Sequence, residues 1–163
     1  MRDLVFVIIN YNTKALAEKL VANVKDYQSI SKILIVDNAS TDDSYQELKK
    51  LENDRIEVLQ AKENRGFSAG MNIGAKRAIE LFSKCDIIFS NTDIIISSEE
   101  TIEILQTALK MRRVAVASPV VFQENTISRG WKIPSAKEEI LINLPGIGKK
   151  FQKKYMFYDE DHY

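Results

Sequence analysis

Residues 4–9 read LVFVII, an unbroken run of apolar side chains near the start of the chain. A strand with one buried face alternates apolar and polar residues, whereas a continuous run rich in β-branched residues is typical of a strand buried on both faces. Such strands occur in parallel sheets, because the helical crossovers of those sheets cover both faces. The run therefore predicts an α/β fold built around a parallel sheet.

The strand pattern recurs in alternation with helical patterns. Short apolar runs at residues 33–36, 56–59, 87–89 and 114–117 predict further strands. This alternation, with short connections, predicts a mainly parallel central sheet with helices on both faces. The apolar residues that recur at helical spacing are Leu16, Leu20, Val21 and Val24, then Leu48 and Leu51, then Met71, Ala75, Ala78, Ile79 and Phe82, and finally Ile102, Leu105 and Leu109.

Polar residues in front of the helical patterns predict where the helices begin. Thr13 is placed to cap the first helix, Ser40 or Thr41 the second, and Ser97 or Ser98 the fourth. Side-chain oxygens of Ser and Thr accept hydrogen bonds from the free N–H groups of a first helical turn. We therefore expect each helix to begin just after its strand and a short polar loop.

Composition excludes several classes of protein. Lys+Arg and Asp+Glu both number 23, so no overall field directs the chain toward nucleic acid or an anionic membrane. The single cysteine, Cys85, excludes an internal disulfide and a cysteine-rich zinc site, and it fits a reducing compartment. No apolar run approaches the length that spans a bilayer. The expectation is a cytoplasmic protein that does not bind nucleic acid.

Polar segments follow the predicted strands at their carboxyl ends. These segments are residues 10–12, 37–38, 61–66 and 91–93. In parallel α/β sheets, ligands bind beyond the carboxyl ends of the strands. We therefore expect the polar segments to converge on one edge of the sheet and to form a binding site there.

The segment IVDNASTDDS places Asp37 at the end of a buried strand. A carboxylate in that position can accept a hydrogen bond from the ring N–H of a nucleobase. Asp, Asn and Ser are also common turn-forming residues, so an Asx turn without a ligand explains the segment equally well. These residues alone leave both interpretations open.

The segment ENRGFSAGMNIGAKRA carries Gly66, Gly70 and Gly74 at intervals of four residues. Within a helix this spacing puts small residues on one face, which favours close packing of the helix against the sheet. Gly66 precedes the predicted helix, where backbone N–H groups can bind an anion, and Arg65 beside it suits a phosphate group. The segment matches neither the GxGxxG nor the GxxxxGK[ST] motif.

The segment FSNTDIII sets Asp93 between two apolar runs. Divalent cations such as Mg²⁺ take oxygen ligands, often one or two carboxylates together with substrate phosphates. Asp93 at a strand end beside an anion-binding loop suits that arrangement, with residues 94–96 returning to the core. A simple turn that caps the following helix is the alternative.

Taken in order, VFVIINYN, ILIVDNASTDDS, ENRGFSAGMNIGAKRA and DIIFSNTDIII resemble the nucleotide-sugar-binding half of glycosyltransferase family 2, and most of all its rhamnosyltransferase-like branch. The resemblance covers about residues 4–122 and implies the Rossmann-like GT-A fold of nucleotide-diphospho-sugar transferases. It implies a nucleotide-sugar-binding core at residues 1–122 and the start of an acceptor-binding half at residues 123–163. From the sequence pattern, residues 120–135 predict a strand or hairpin with a Gly turn, followed by a short helix.

The resemblance implies roles for residues at matching positions. Asp37 would bind the uracil or thymine ring, and Arg65 would lie near the base or the diphosphate. Asp93 matches the last carboxylate of the metal motif and would hold Mg²⁺ or Mn²⁺ against both phosphates, which offsets the charge on the leaving nucleoside diphosphate. Nucleotide-sugar binding is implied for Asn10, Tyr11, Asn12, Asp37, Asn38, Arg65, Gly66, Asn72, Asn91 and Thr92.

The chain departs from the family pattern at two places. Asn91 and Thr92 stand where relatives often carry Asp and either Pro or Asp, so the metal site would depend on Asp93, the diphosphate and water. Relatives also continue for roughly a hundred residues, a domain-scale length, with the acceptor site and the general base. The tail segment 159–161 has the right residue types for that base but the wrong context, and we assign no base there.

The leading hypothesis is a glycosyltransferase that moves a sugar from a UDP- or dTDP-linked donor, with dTDP-rhamnose as the first choice, to a hydroxyl of a growing glycan. The expected associations are a partner subunit that supplies the acceptor half and a homodimer. The expected location is the cytoplasm, at the inner face of the membrane. The alternative is a nucleotide-sugar-binding module without transfer activity. A sugar-1-phosphate nucleotidyltransferase is disfavoured, because residues 10–19 lack the glycine-rich loop of that class.

Overall fold

The structure is a computed structural model that describes residues 2–123, 126–128 and 135–144. The described chain divides after Lys110 into two units, which are treated separately. The first unit holds β1 (Asp3–Asn10), α1 (Lys14–Val24), β2 (Lys32–Asp37), α2 (Ser44–Lys49), β3 (Ile56–Gln60), α3 (Phe67–Leu81), β4 (Cys85–Asn91) and α4 (Glu99–Leu109). The second unit holds β5 (Val121–Gln123), β6 (Thr126–Ser128) and α5 (Ala136–Ile142).

The first unit is built on a four-stranded sheet in the order β3-β2-β1-β4. All of its strand pairs are parallel, which confirms the predicted parallel α/β fold. Asn10 lies opposite Asp37, and Asp37 lies opposite Gln60. On the other side of β1, Ile9 lies opposite Asn91. This register brings the carboxyl ends of all the strands to the same edge of the sheet.

Strand β1 is buried on both faces, as its apolar run predicts. Leu4, Phe6 and Ile8 pack on one face with residues of α1, α2 and α4. Val5 and Val7 pack on the other face with Ala78 of α3. Helices therefore cover both faces, because every residue of the central strand needs an apolar partner on its own side.

Helix α3 packs closely against the sheet through its small residues. Gly70, Gly74 and Ala78 are the buried positions of this helix. A Cβ atom on Gly74 would lie 2.3 Å from Val7 Cγ1, so only glycine lets the helix backbone come this near. This confirms the packing role expected for the helical glycines. The prediction for Ile79 is wrong, because this side chain is 62% exposed.

Strand β4 differs from the fully buried strand that its sequence predicts. It is an edge strand of the sheet among the described residues, and only Ser90 along its length is buried. Phe89 is 37% exposed and Ile95 is 66% exposed, whereas Ile96 packs against the core. The predicted return of residues 94–96 to the core is thus wrong for Ile95. An edge strand and a central strand share one apolar pattern, so the pattern cannot separate them.

Several predicted local features are also wrong. Residues 114–117 form no strand; the run is half alanine, which buries little area and favours strands weakly. Helix α2 begins after Asp43 rather than after Ser40 or Thr41. Ser98 does occupy the N-cap position of α4, without a side-chain cap bond. Leu16 is 42% exposed and does not join the core.

The second unit is small. Strands β5 and β6 pair antiparallel, with Val121 opposite Ser128 and Gln123 opposite Thr126. This confirms the predicted hairpin, and α5 confirms the short helix after it. The predicted Gly turn at Gly130 and the tail segment 159–161 lie outside the described residues.

Candidate functional site

Asp37 is the centre of a buried polar network at the ends of β1 and β2. The residue is fully buried, and so is Asn10 opposite it. Its Oδ2 accepts hydrogen bonds from Asn10 Nδ2 at 2.9 Å and from Ser40 Oγ at 2.6 Å. Its Oδ1 accepts a third from the backbone N–H of Ser40 at 3.0 Å. Protein donors thus surround the carboxylate, and they satisfy a charge that would be costly to bury unpaired.

Asn38, the next residue, holds a buried acceptor that nothing in the described chain satisfies. Its Nδ2 donates to Asn64 Oδ1 at 2.9 Å and to the carbonyl of Gly66 at 3.2 Å. Because both partners accept, the amide orientation is unambiguous. Its Oδ1 is buried without a hydrogen-bond partner, in a residue that is 3% exposed. An unsatisfied buried carbonyl costs about 1–3 kcal/mol, and a ligand that donates a hydrogen bond removes that cost.

The loops after β1 and β2 are joined above this network. The backbone N–H of Asn12 donates to Ser40 Oγ at 2.9 Å. The Asn12 side chain donates to Thr41 Oγ1 at 3.1 Å and accepts from the Thr41 backbone N–H at 2.8 Å. Asn12 and Ala39 both have left-handed backbone conformations, with φ of 55° and 59°. Tyr11 lies beside this junction and is 43% exposed, which leaves its ring accessible to a ligand.

The 61–66 loop reaches the same edge and leads into α3. Gly66 is the N-cap residue of α3 with φ 86° and ψ 172°, a conformation that side chains rarely adopt. No side-chain cap bond covers the start of this helix. The Arg65 side chain is 75% exposed, and its Nε lies 3.7 Å from Glu63 Oε1, a weak surface pair. A helix start without a side-chain cap and an exposed guanidinium together suit an anionic ligand.

The segment after β4 carries the candidate metal ligand. Asn91 and Asp93 are exposed, whereas Thr92 between them is only 8% exposed. Thr92 Oγ1 lies 3.0 Å from Thr13 Oγ1, which joins this segment to the start of α1. The described residues contain no group of three or more His, Cys, Asp or Glu side chains that could hold a metal ion.

The donor set fits a hard divalent cation in one particular way. Asp93 offers one accessible carboxylate, and Asn91, the last residue of β4, offers a neutral amide oxygen. Mg²⁺ is commonly bound by one or two carboxylates with substrate phosphates and water rather than by an all-protein cage. These residues therefore fit a metal ion that arrives with, or is completed by, a phosphate-bearing ligand.

A cation lies at the rim of the site as well. Lys14 at the start of α1 pairs with Asp43, and this hydrogen bond raises the pKa of the lysine. The pKa of the nearby Asp42 is lowered by hydrogen bonds from Ser44. Because Lys14 is already paired, Arg65 is the cation of this edge that is more accessible to a ligand.

The structure brings most of the sequence-predicted residues to one edge but leaves one apart. Hydrogen bonds and strand register link the segments that contain Asn10, Asp37, Gly66 and Thr92, so the predicted convergence is confirmed. Asn72 is exposed and lies two residues beyond the sheet-facing Gly70, about 200° around the helix. It therefore faces away from the sheet.

Sequence reasoning missed three residues that organise the site. Ser40 bonds Asp37, Thr13 bonds Asn10 and Thr92, and Asn64 holds Asn38. Thr13 occupies the N-cap position of α1, as the sequence predicts, whereas Ser40 caps no helix of the described chain. The hydroxyls of both residues bond side chains of the site. The signal for Asn64 is its place in the loop before Gly66; that signal gives no partner, because the partner comes from another strand end.

The parallel sheet with helices on both faces has the GT-A fold of the glycosyltransferase structures to which it is similar. The mannosyltransferase PcManGT from Pyrobaculum calidifontis, solved in complex with GDP-Man and Mn²⁺, has a TM-score of 0.58 at 17% identity, over 70% of this chain and 36% of that one. TarS residues 1–349 from S. aureus have a TM-score of 0.53 at 20% identity, over 66% of this chain and 32% of that one. The chain thus spans about a third of the length of these structures.

The family assignment comes from the sequence match. Residues 5–161 match glycosyl transferase family 2, and the chain belongs to that family. No curated protein matches the chain. No helix within the described ranges has the length and apolar character needed to cross a bilayer.

Proposed function

We propose that this chain binds a UDP- or dTDP-linked sugar and takes part in a metal-dependent transfer of that sugar to a hydroxyl group of a glycan. The observation that carries the proposal is the buried, unsatisfied Oδ1 of Asn38 at the sheet edge formed by the carboxyl ends of the strands. Uracil and thymine both present a ring N–H that such an oxygen can accept. Family membership supports glycosyl transfer as the reaction class.

The base subsite combines two neighbouring residues with different tasks. The Asp37 carboxylate already accepts hydrogen bonds from Asn10 and Ser40, so we assign it to holding the strand ends together. Asn38 Oδ1 is then a buried acceptor that has no partner in the described chain, and we assign it to the base. This modifies the direct base contact that family resemblance implies for Asp37.

The diphosphate subsite lies between α3 and the segment after β4. Arg65 and the N-terminus of α3 at Gly66 would bind the phosphate charge. Asp93, assisted by Asn91, would hold Mg²⁺ or Mn²⁺ on the same phosphates. When bound, the metal offsets the negative charge of the leaving nucleoside diphosphate. The presence of Mn²⁺ with GDP-Man in the PcManGT structure supports the use of a divalent ion.

The finer assignment follows the rhamnosyltransferase-like branch. We propose dTDP-rhamnose as the donor, on the strength of the sequence motifs around Asp37, Arg65 and Asp93. The acceptor-binding site and the general base would be supplied by a further segment, a partner subunit or a second copy of the chain. The single Cys85 supports a reducing compartment, so we place the reaction in the cytoplasm, at the inner face of the membrane.

Calorimetric titration with UDP, dTDP and GDP, with and without MnCl₂, tests the proposal. We expect UDP or dTDP to bind at least about tenfold more tightly with Mn²⁺, and GDP to bind more weakly than either. Asp93→Asn should remove the Mn²⁺ effect, whereas the control Asp54→Asn, an exposed carboxylate at the opposite edge of the sheet, should keep it. Asn38→Ala should weaken binding about tenfold with or without metal, as expected for one lost hydrogen bond in a buried site.

Three outcomes would decide between the possibilities. Absence of binding to both UDP and dTDP would overturn the proposal. Binding that does not change with Mn²⁺ would remove the metal and Asp93 from it. Metal-dependent binding without hydrolysis or transfer of a donor sugar would support the binding module in place of the transferase.

A further inference from the structure

A chain of hydrogen bonds connects the buried network at Asp37 to the segment that carries Asp93. Asn10 Nδ2 donates to Asp37, and Thr13 Oγ1 donates to Asn10 Oδ1 at 3.0 Å. Thr13 Oγ1 in turn lies 3.0 Å from Thr92 Oγ1. Four side chains from three strand ends are thus joined in sequence, and the last of them adjoins Asp93.

The direction of each bond follows from counting protons. The Asn10 amide donates through Nδ2, so its Oδ1 can only accept. The single hydroxyl proton of Thr13 is therefore committed to Asn10, and Thr13 Oγ1 must accept the next bond. Thr92 is then the donor to Thr13. Its only proton points inward along this chain and is not available to a ligand.

The anchor of this bond is rigid, and the segment it holds is fixed a second time. Thr13 is the N-cap residue of α1, and its carbonyl accepts the first hydrogen bonds of that helix. Further along α1, Asn23 accepts from the Ile96 backbone N–H at 2.8 Å and donates to the Ile96 carbonyl at 3.1 Å. Asp93 therefore lies in a short exposed segment whose two ends are both bonded to α1.

We propose that Thr92 is a positioning residue, whose hydroxyl bond to Thr13 holds Asp93 in the place where it meets the metal ion and the diphosphate. This role rests on the proposed function. It adds that the position of Asp93 depends on the hydrogen-bond network around Asn10 and Asp37. It also accounts for the hydroxyl of Thr92, which is buried between two exposed residues. A buried hydroxyl needs a hydrogen-bond partner, and Thr13 provides it.

The test compares nucleotide binding with and without metal in matched variants. The measured quantity is the ratio of the Kd for UDP without MnCl₂ to the Kd with MnCl₂, obtained by calorimetry. Thr92→Val, which keeps the shape but loses the hydroxyl, should lower this ratio about fivefold, the effect of one hydrogen bond, and should leave the metal-free Kd unchanged. Thr92→Ser, which keeps the hydroxyl, should restore the wild-type ratio.

Thr13→Val removes the acceptor of the same hydrogen bond and provides a second test of the role of that bond. If the bond is the cause, the double variant of Thr13→Val with Thr92→Val should lower the ratio no further than Thr13→Val alone. Thr92→Ala replaces Thr92→Val if the valine variant does not fold, as judged by its thermal unfolding.

The outcomes separate this role from the proposed function. An unchanged ratio in Thr92→Val, with a normal Mn²⁺ effect in the wild type, would overturn the positioning role alone. Equal weakening with and without metal would also overturn it, because Thr92 would then contact the nucleotide directly. Absence of any UDP or dTDP binding by the wild-type chain would overturn both.

Discussion

The ends of β1 and β2 and the end of β4 belong to one edge of one sheet, but they are organised in different ways. At β1 and β2, Asn10 and Asp37 are fully buried and satisfy each other across paired strands. After β4, Asn91 and Asp93 are exposed, and Thr92 between them is buried. The first region is complete without a ligand except for Asn38 Oδ1, whereas the second offers carboxylate and amide groups that only a ligand can use.

The difference follows from the position of each strand in the sheet. Strands β1 and β2 have neighbours on both sides, so the groups at their ends are surrounded by protein and must satisfy one another. Strand β4 is an edge strand among the described residues, so the segment after it lies open on one side. Two carboxylates at equivalent ends of parallel strands therefore have different roles: Asp37 serves the structure of the site, and Asp93 is free to serve a ligand.

Replacing Asp37 by its amide should have the largest effect on stability, because this carboxylate holds the two strand ends together. Asp37→Asn leaves buried donors of Asn10 and Ser40 facing a second amide, and hydrogen bonds to a charged group contribute about 1.5–3 kcal/mol each to stability. We expect the free energy of unfolding to fall by about 3 kcal/mol. Urea denaturation followed by circular dichroism at neutral pH measures this change.

Asp93→Asn is the matched variant in the exposed region. It should change the free energy of unfolding by less than about 0.5 kcal/mol, as is usual for exposed positions without buried partners. Equal destabilisation by the two variants would contradict the division of roles between Asp37 and Asp93.

Asn23→Ala should have an intermediate effect on the free energy of unfolding. It removes the bonds that fix the end of the Asp93 segment to α1, and Ile96 N–H loses its acceptor while its carbonyl keeps Tyr27. We expect a loss of about 1.5 kcal/mol in the free energy of unfolding, within the cost of an unsatisfied, partly buried group.

The control for this variant is Asn72→Ala on α3, an exposed helical residue. Both changes gain the same small advantage in helix propensity, so the difference between them isolates the lost bonds. If the two variants have the same stability, the bonds from Asn23 do not contribute to stability, and the Asp93 segment is held by the bonds of Thr92 to Thr13 and of Ile96 to Tyr27.

Most of the fold could be predicted from the sequence, because it depends on local patterns. The run in β1 gave a strand buried on both faces, and the spacing of Gly70 and Gly74 gave a helix packed close to the sheet. The parallel order of the sheet brought the polar strand ends together as expected. These features depend on periodicity and side-chain volume, both of which can be read along the chain.

The organisation of the site could not be predicted in the same way. Thr13 and Thr92 are 79 residues apart, and nothing in either local sequence indicates that their hydroxyls meet. The burial of Asp37 and the exposure of Asp93 depend on which strands lie inside the sheet and which lie at its edge. The apolar patterns of β1 and β4 do not carry that information, so both carboxylates had been expected to contact the ligand.

Glu99 provides the smallest test, because it is a third tether of the region after β4. This first residue of α4 accepts a hydrogen bond from the Ser29 backbone N–H at 2.6 Å, and that bond lowers the pKa of the carboxyl below its ordinary value of 4.5. A carboxyl with a lowered pKa in the folded state stabilises the protein above its unfolded pKa, and this contribution is lost as the pH falls through the folded value. Glu99→Gln should therefore be slightly less stable than wild type at pH 7, and the gap should close once the pH is well below 4.5. Urea denaturation of both proteins from pH 7 to about pH 3 measures the gap. A gap that stays constant over this range would mean that the charge of Glu99 does not help to hold α4, and that the region after β4 depends on its bonds to Thr13, Asn23 and Tyr27.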